Sequence, residues 1–110
     1  MTTIAHSAAG LALALLAATP AFAQDAQALR TRSLAATCAP CHGTDGRAAE
    51  GAALPGLFGM PAAYLVEQMA GFKSGARTGS LMPQIAKGYN DAQIAQLAAW
   101  FANPPPAAKQ

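Results

Sequence analysis

Cysteine is scarce in this chain: Cys38 and Cys41 are the only two among 110 residues. A multiply cross-linked scaffold and a four-cysteine metal site are therefore excluded. Histidine is as scarce, with His6 and His42 alone. Beyond residue 23 there are seven β-branched residues (Thr31, Thr37, Thr44, Val66, Thr78, Ile85, Ile94), too few for a sheet-based domain. Charge is thin as well. Charged residues make up 11% of the sequence, and seven Lys/Arg against five Asp/Glu give a formal net charge of +2. That falls short of the dense basic patch a nucleic-acid binder needs, so no nucleic-acid partner is expected. The one sustained apolar run, Ala8 to Ala18, is too short, and too soon interrupted by Pro20, to span a bilayer. Thr19-Pro20-Ala21-Phe22-Ala23 closes it with an A-x-A pattern, which predicts a secretory signal peptide over residues 1–23 and a mature start at Gln24. No Lys or Arg precedes the run, the one feature such a leader lacks here.

With the leader set aside, residues 24–103 read as one small all-α domain and residues 104–110, opening on Pro104-Pro105-Pro106, as a disordered tail. A domain of this size buries a modest share of its surface and needs a staple. Asp25 to Thr37 lacks Gly and Pro and is rich in Ala, Leu and Arg, which predicts a first helix with Asp25 at its N-cap or first turn. Leu34 and Cys38, four apart, share its face. From Gly43 to Met60 no period survives among the recurring glycines, so this stretch reads as a loop. Pro61 fits the first position of a second helix that stops at Gly75, with Tyr64, Leu65, Gln68, Met69 and Phe72 on one stripe. Gly75 to Gly88 reads as a second loop. Asn90 and Gln93 form a capping box for the last helix, with Tyr89 and Ile94 as its staple. Ile94, Leu97, Ala98 and Phe101 then keep the helical period, flanked by Trp100.

The chemistry lies in Cys38-Ala39-Pro40-Cys41-His42, a C-x-x-C-H box. Two thiols about one helical turn apart reach the edge of one flat ligand, and the adjacent imidazole turns onto its centre. This pattern marks covalent c-type haem attachment, each thiol adding to a vinyl group and His42 becoming the fifth iron ligand. A thioredoxin-type dithiol would need a preceding strand and a parallel βαβ setting, which a helix-fed box in a chain this poor in β-formers does not offer. A covalent haem also supplies the missing staple and a reason for the long loops. The sixth iron position falls to Met60, Met69 or Met82, since His6 leaves with the leader. Met69 sits on the apolar stripe and reads as packing. Met60 and Met82 both precede a proline in a loop; Met60 abuts the second helix, so Met82 is preferred and Met60 stays as the rival. A soft, neutral thioether favours ferrous iron and raises the potential into a range useful for carrying electrons.

The order of helix, C-x-x-C-H-G, Leu54-Pro55-Gly56-Leu57 loop, helix, methionine loop, then Lys87-Gly88-Tyr89-Asn90-Asp91-Ala92-Gln93-Ile94 and Leu97-Ala98-Ala99-Trp100-Phe101, resembles class I cytochromes c. It is most similar to the bacterial c4/c554 type and to the cytochrome subunit of flavocytochrome c sulfide dehydrogenase, over residues 25–102. The resemblance implies about three main helices wrapped around one haem c. It implies Met82 as the sixth ligand, and the Pro55 carbonyl as the group that holds the ring N–H of His42. It also implies a crossing of the first and last helices around Leu34, Ala35, Leu97 and Trp100. The c4 proteins proper carry two haem domains, whereas this chain has one attachment box.

These readings predict a periplasmic monohaem cytochrome that shuttles single electrons and catalyses nothing by itself, both axial positions being filled. Its expected partner is a redox protein such as a flavoprotein dehydrogenase or a terminal oxidase, without stable membrane insertion. One alternative is the haem subunit of a larger dehydrogenase; a second is a haem sensor with a labile sixth ligand. Lys73, Arg77 and Lys87 cluster around the second loop, where ordinary solvated charges outweigh a basic rim that steers an acidic partner. Tyr64 and Phe58 are candidates to line the haem pocket, though any small core uses aromatics so.

Overall fold

The computed structural model describes residues 19–104; the expected leader up to residue 18 and the expected tail from residue 105 lie outside them. Among the described residues there are five α-helices and no strand. They are α1 (Thr19–Ala36), α2 (Ala39–His42), α3 (Ala62–Ser74), α4 (Met82–Lys87) and α5 (Asp91–Ala102), with a 3-10 turn at Thr44–Gly46. The all-α expectation holds. The chain divides into two compact units, residues 1–30 and 31–110, and the packing below is that of the second. No helix among the described residues is long and apolar enough to cross a membrane.

The helix boundaries follow local chemistry, with several departures from the sequence reading. Because α1 begins at Thr19, Asp25 lies inside it and not at its N-cap. It ends at Ala36, one residue short of the predicted Thr37. Thr37 turns back onto the Leu34 carbonyl through both its hydroxyl (2.7 Å) and its N–H (3.2 Å), which satisfies the helix end. Pro40 instead occupies the first turn of α2, where a missing N–H costs nothing. Pro61 is extended (φ −56°, ψ 132°) and caps α3 from outside. Gly75, at φ +84°, ends α3 in the left-handed conformation that glycine adopts without penalty.

The stretch read as a second loop contains α4. Pro83 presets its first turn, and the N–H groups of Gln84 and Ile85 both donate to the Leu81 carbonyl, at 3.0 and 3.1 Å. Six residues are too few to hold a helix by propensity; α4 persists because it packs on α3 and buries Ala86 completely. The capping box of α5 is complete, Gln93 N–H donating to Asn90 Oδ1 at 2.8 Å and Asn90 N–H to Gln93 Oε1 at 2.9 Å. Its apolar stripe, Ile94, Leu97, Ala98 and Phe101, is buried as its period requires.

Ala35 of α1, Leu65 of α3 and Leu97, Ala98 and Phe101 of α5 form the core, with Leu34 and Trp100 packed against it. The first and last helices therefore meet where the resemblance put them. The loop from Gly43 to Met60 is held by its backbone. The Gly46 carbonyl accepts from Leu57 N–H (2.8 Å) and Phe58 N–H (3.1 Å), and Gly59 N–H donates to Phe101 carbonyl at 2.8 Å. Gly46 itself is buried at φ +75°, and a Cβ there would stand 2.8 Å from Phe58 N and 2.9 Å from Phe101 Cδ1. Only glycine fits that crossing of loop and helix.

Candidate functional site

The helices close around a cavity of about 480 Å³, within the range of roughly 300–1,000 Å³ common to cofactor sites. Cys38, Cys41 and His42 lie on its wall, together with Pro55, Met60, Met69 and Met82. The two attachment cysteines, His42, Pro55 and the three candidate methionines thus border one space. Much of the remaining wall is apolar: Leu65 and Phe72 from α3, Ile85 from α4, and Ile94, Leu97 and Phe101 from α5. The stripe of α3 borders this cavity as well as the core, to which Leu65 belongs, so Met69 is a wall residue. Tyr64 also borders it, but Phe58 does not; Phe58 lies under Arg47, whose guanidinium carbon is 3.5 Å from the ring centroid.

No disulfide joins Cys38 to Cys41. Burial pushes the Cys38 thiol above its ordinary value; the Thr37 hydroxyl draws it down, and the neighbouring Cys41 raises it again. Two thiols in a wall without a third cysteine or second histidine make no metal cage, and among the described residues no group of metal-binding side chains of the His/Cys/Asp/Glu kind assembles.

His42 is oriented by a side-chain-to-backbone hydrogen bond, its Nδ1 lying 2.7 Å from the Pro55 carbonyl oxygen. A carbonyl only accepts, so Nδ1 carries a proton and, in the neutral ring, Nε2 is the nitrogen with the lone pair. That is the tautomer a metal ligand needs, with the other ring nitrogen anchored. Thr37, just before the box, is anchored too. Its hydroxyl donates to Leu34 carbonyl, so Tyr89 OH is the donor in the 2.7 Å contact between Tyr89 and Thr37 Oγ1. Nothing in the sequence pairs these two residues, 52 positions apart; the link exists only because α5 crosses the end of α1.

The residues present fit an iron porphyrin. Two thiols are spaced for two vinyl groups, an imidazole offers a lone pair, thioethers border the same space, and the wall is apolar. Of the charged side chains among the described residues, Arg77 alone lines the cavity.

The cytochrome c family model matches residues 26–103. The cytochrome subunit of sulfide dehydrogenase from Chlorobaculum tepidum is 36% identical over 74 residues, 67% of this chain and 66% of that protein. The thiosulfate dehydrogenase electron acceptor of Thiomonas intermedia is 37% identical over 75 residues, covering 68% of this chain and 35% of that one. Cytochrome c-554(548) of Halomonas halodenitrificans is 39% identical over 72 residues, 61% of this chain and 83% of that protein. The chain thus spans just under two thirds of the first of these relatives and about a third of the second. A C-x-x-C-H box on the wall of an apolar cavity, inside a matched domain that runs nearly from Asp25 to Asn103, leads to one assignment: the chain belongs to the cytochrome c family and carries one covalently bound haem c.

Proposed function

We propose that this protein is a periplasmic monohaem electron carrier, exported through a signal peptide that ends at Ala23, with His42 and Met82 as the axial iron ligands. The observation that carries the reading is the 2.7 Å contact from His42 Nδ1 to the Pro55 carbonyl, which makes Nε2 the ligating nitrogen of the neutral ring and orients the ring. Haem c supplies a one-electron ferric/ferrous couple when bound. The chain's part is to hold that couple and tune it. Cys38 and Cys41 anchor the porphyrin edge, Pro55 strengthens His42 as a donor, and the apolar wall keeps water away.

Met82 is favoured over the other two methionines by their surroundings. Met60 packs against the buried core cluster, which accounts for its apolar side chain, and Met69, though it borders the cavity, lies within α3 beside the apolar wall residues Leu65 and Phe72. Met82 opens α4, on a turn stiffened by Pro83. Replacing Met82 with alanine in the haem-loaded protein should abolish the weak far-red iron–sulfur charge-transfer band and lower the reduction potential. An unchanged spectrum and potential would remove Met82 from the iron, and the same substitution at Met60 would then be the next test.

A second role, as the haem subunit of a dehydrogenase for reduced sulfur compounds, is favoured by the Chlorobaculum relative, itself named a cytochrome subunit of sulfide dehydrogenase. Purification from the native periplasm separates the two: a stoichiometric flavoprotein partner supports the subunit, and a free monomer supports the diffusible carrier.

A further inference from the structure

We infer that Arg77 is the counter-ion of a haem propionate, set at the cavity by a latch built on Gly71. The inference rests on haem attachment but not on which methionine binds iron. Among the described residues no acidic side chain lines the cavity, and Arg77 is the one charge on its wall. Its guanidinium stands 4.6 Å from the Phe72 ring centroid and has no ion-pair partner among the described residues, where Lys73 with Asp91 is the single salt bridge. Arg77 is exposed at the rim of the apolar space, where its guanidinium is free to meet an anion that enters the cavity. The porphyrin brings two carboxylates as it enters.

The local backbone is arranged for this placement. Glycine is a poor helix interior residue, yet Gly71 sits within α3. Its carbonyl accepts from Arg77 N–H at 2.9 Å, and a Cβ at Gly71 would stand 3.2 Å from Arg77 Cβ. The loop after α3 therefore folds back onto the one position of the helix that has no side chain. That fold-back sets Arg77 against Phe72, whose ring supports the flat face of the guanidinium. Thr78 and Ser80, the next hydroxyls along, border the same cavity. A planar fork with hydroxyl donors beside it is the chemistry that recognises a carboxylate. Lys73, by contrast, is spent on Asp91 at 2.9 Å.

The test uses the haem-loaded protein, with its potential read by spectroelectrochemical titration and the propionate bending mode by resonance Raman. Arg77→Gln removes a positive charge near the iron, which favours the ferric state, so the potential should fall and the propionate band should shift. The Soret band and the axial-ligand spectrum should stay as in the parent. Arg77→Lys keeps the charge without the fork, so it should restore most of the potential while leaving the Raman band shifted. Arg77→Gln with the parent's potential and propionate band would overturn the proposal. So would an Arg77→Lys variant whose potential falls as far as that of the glutamine variant, because charge would then not be the operative quantity. Absence of any Soret band in the parent protein would instead overturn haem attachment itself, a different failure.

Discussion

Replacing both Cys38 and Cys41 with alanine, so that no haem is attached, should leave a polypeptide unable to hold this fold. At roughly 24 cal/mol per Å³ of cavity, leaving about 480 Å³ empty costs about 12 kcal/mol as a ceiling, because an open cavity relaxes and hydrates. A folded unit of this size has roughly 4–11 kcal/mol in total at about 0.05–0.15 kcal/mol per residue. Even half the ceiling, about 6 kcal/mol, consumes most of that reserve. What remains to resist is slight. The buried apolar residues among those described are Ala35, Leu65, Ala86, Ile94, Leu97, Ala98 and Phe101, and three of these are alanines. Far-UV circular dichroism and a thermal melt of the exported double variant, beside the haem-loaded parent, make the comparison. The expected result is a large loss of helical signal with no cooperative transition. A variant that kept the parent's helical signal and melted sharply within a few degrees of it would refute the reasoning, since the protein chain would then be self-sufficient.

Three smaller perturbations probe the frame around the cavity. Tyr89→Phe deletes the hydroxyl that donates to Thr37 Oγ1 at 2.7 Å and should lower stability by about 1 kcal/mol in a denaturant titration, with the absorption spectrum retained. Asn90→Ala removes the Oδ1 that accepts from Gln93 N–H, one half of the capping box, and should also cost about 1 kcal/mol, read as a lowered melting temperature. Gly46→Ala forces a side chain into a left-handed position 2.8 Å from Phe58 N. It should cost more than the ~1 kcal/mol of an ordinary glycine replacement and loosen the loop from Gly43 to Met60, detectable as faster amide exchange at Leu57 and Phe58.

Much of this architecture was legible in the chain because it is written in local chemistry. The attachment box is five adjacent residues, the α5 cap is a four-residue signal, and the period of Ile94, Leu97, Ala98 and Phe101 is set by one helix alone. The second loop was misread for the opposite reason. α4 has only six residues, begins with Met82-Pro83, and is held by packing on α3, so its own sequence carries no period to find. Met69 and its neighbours show another limit: an apolar stripe looks the same whether it faces side chains or a cofactor space. The Thr37–Tyr89 and Gly71–Arg77 links were invisible because each depends on two segments meeting. Met82 is preferred to Met60 and Met69 in the sequence on position alone, and even together on one wall the three differ chiefly in what else they touch.

The box is guyed at both ends: the hydroxyl of Thr37 receives Tyr89 on one side, and the ring of His42 is tied to Pro55 on the other. A planar guest fastened to the thiols between these stays would be held against rotation as well as displacement. When the iron changes charge, little on this side is free to rearrange, and a small reorganisation cost is what lets electrons pass quickly in both directions.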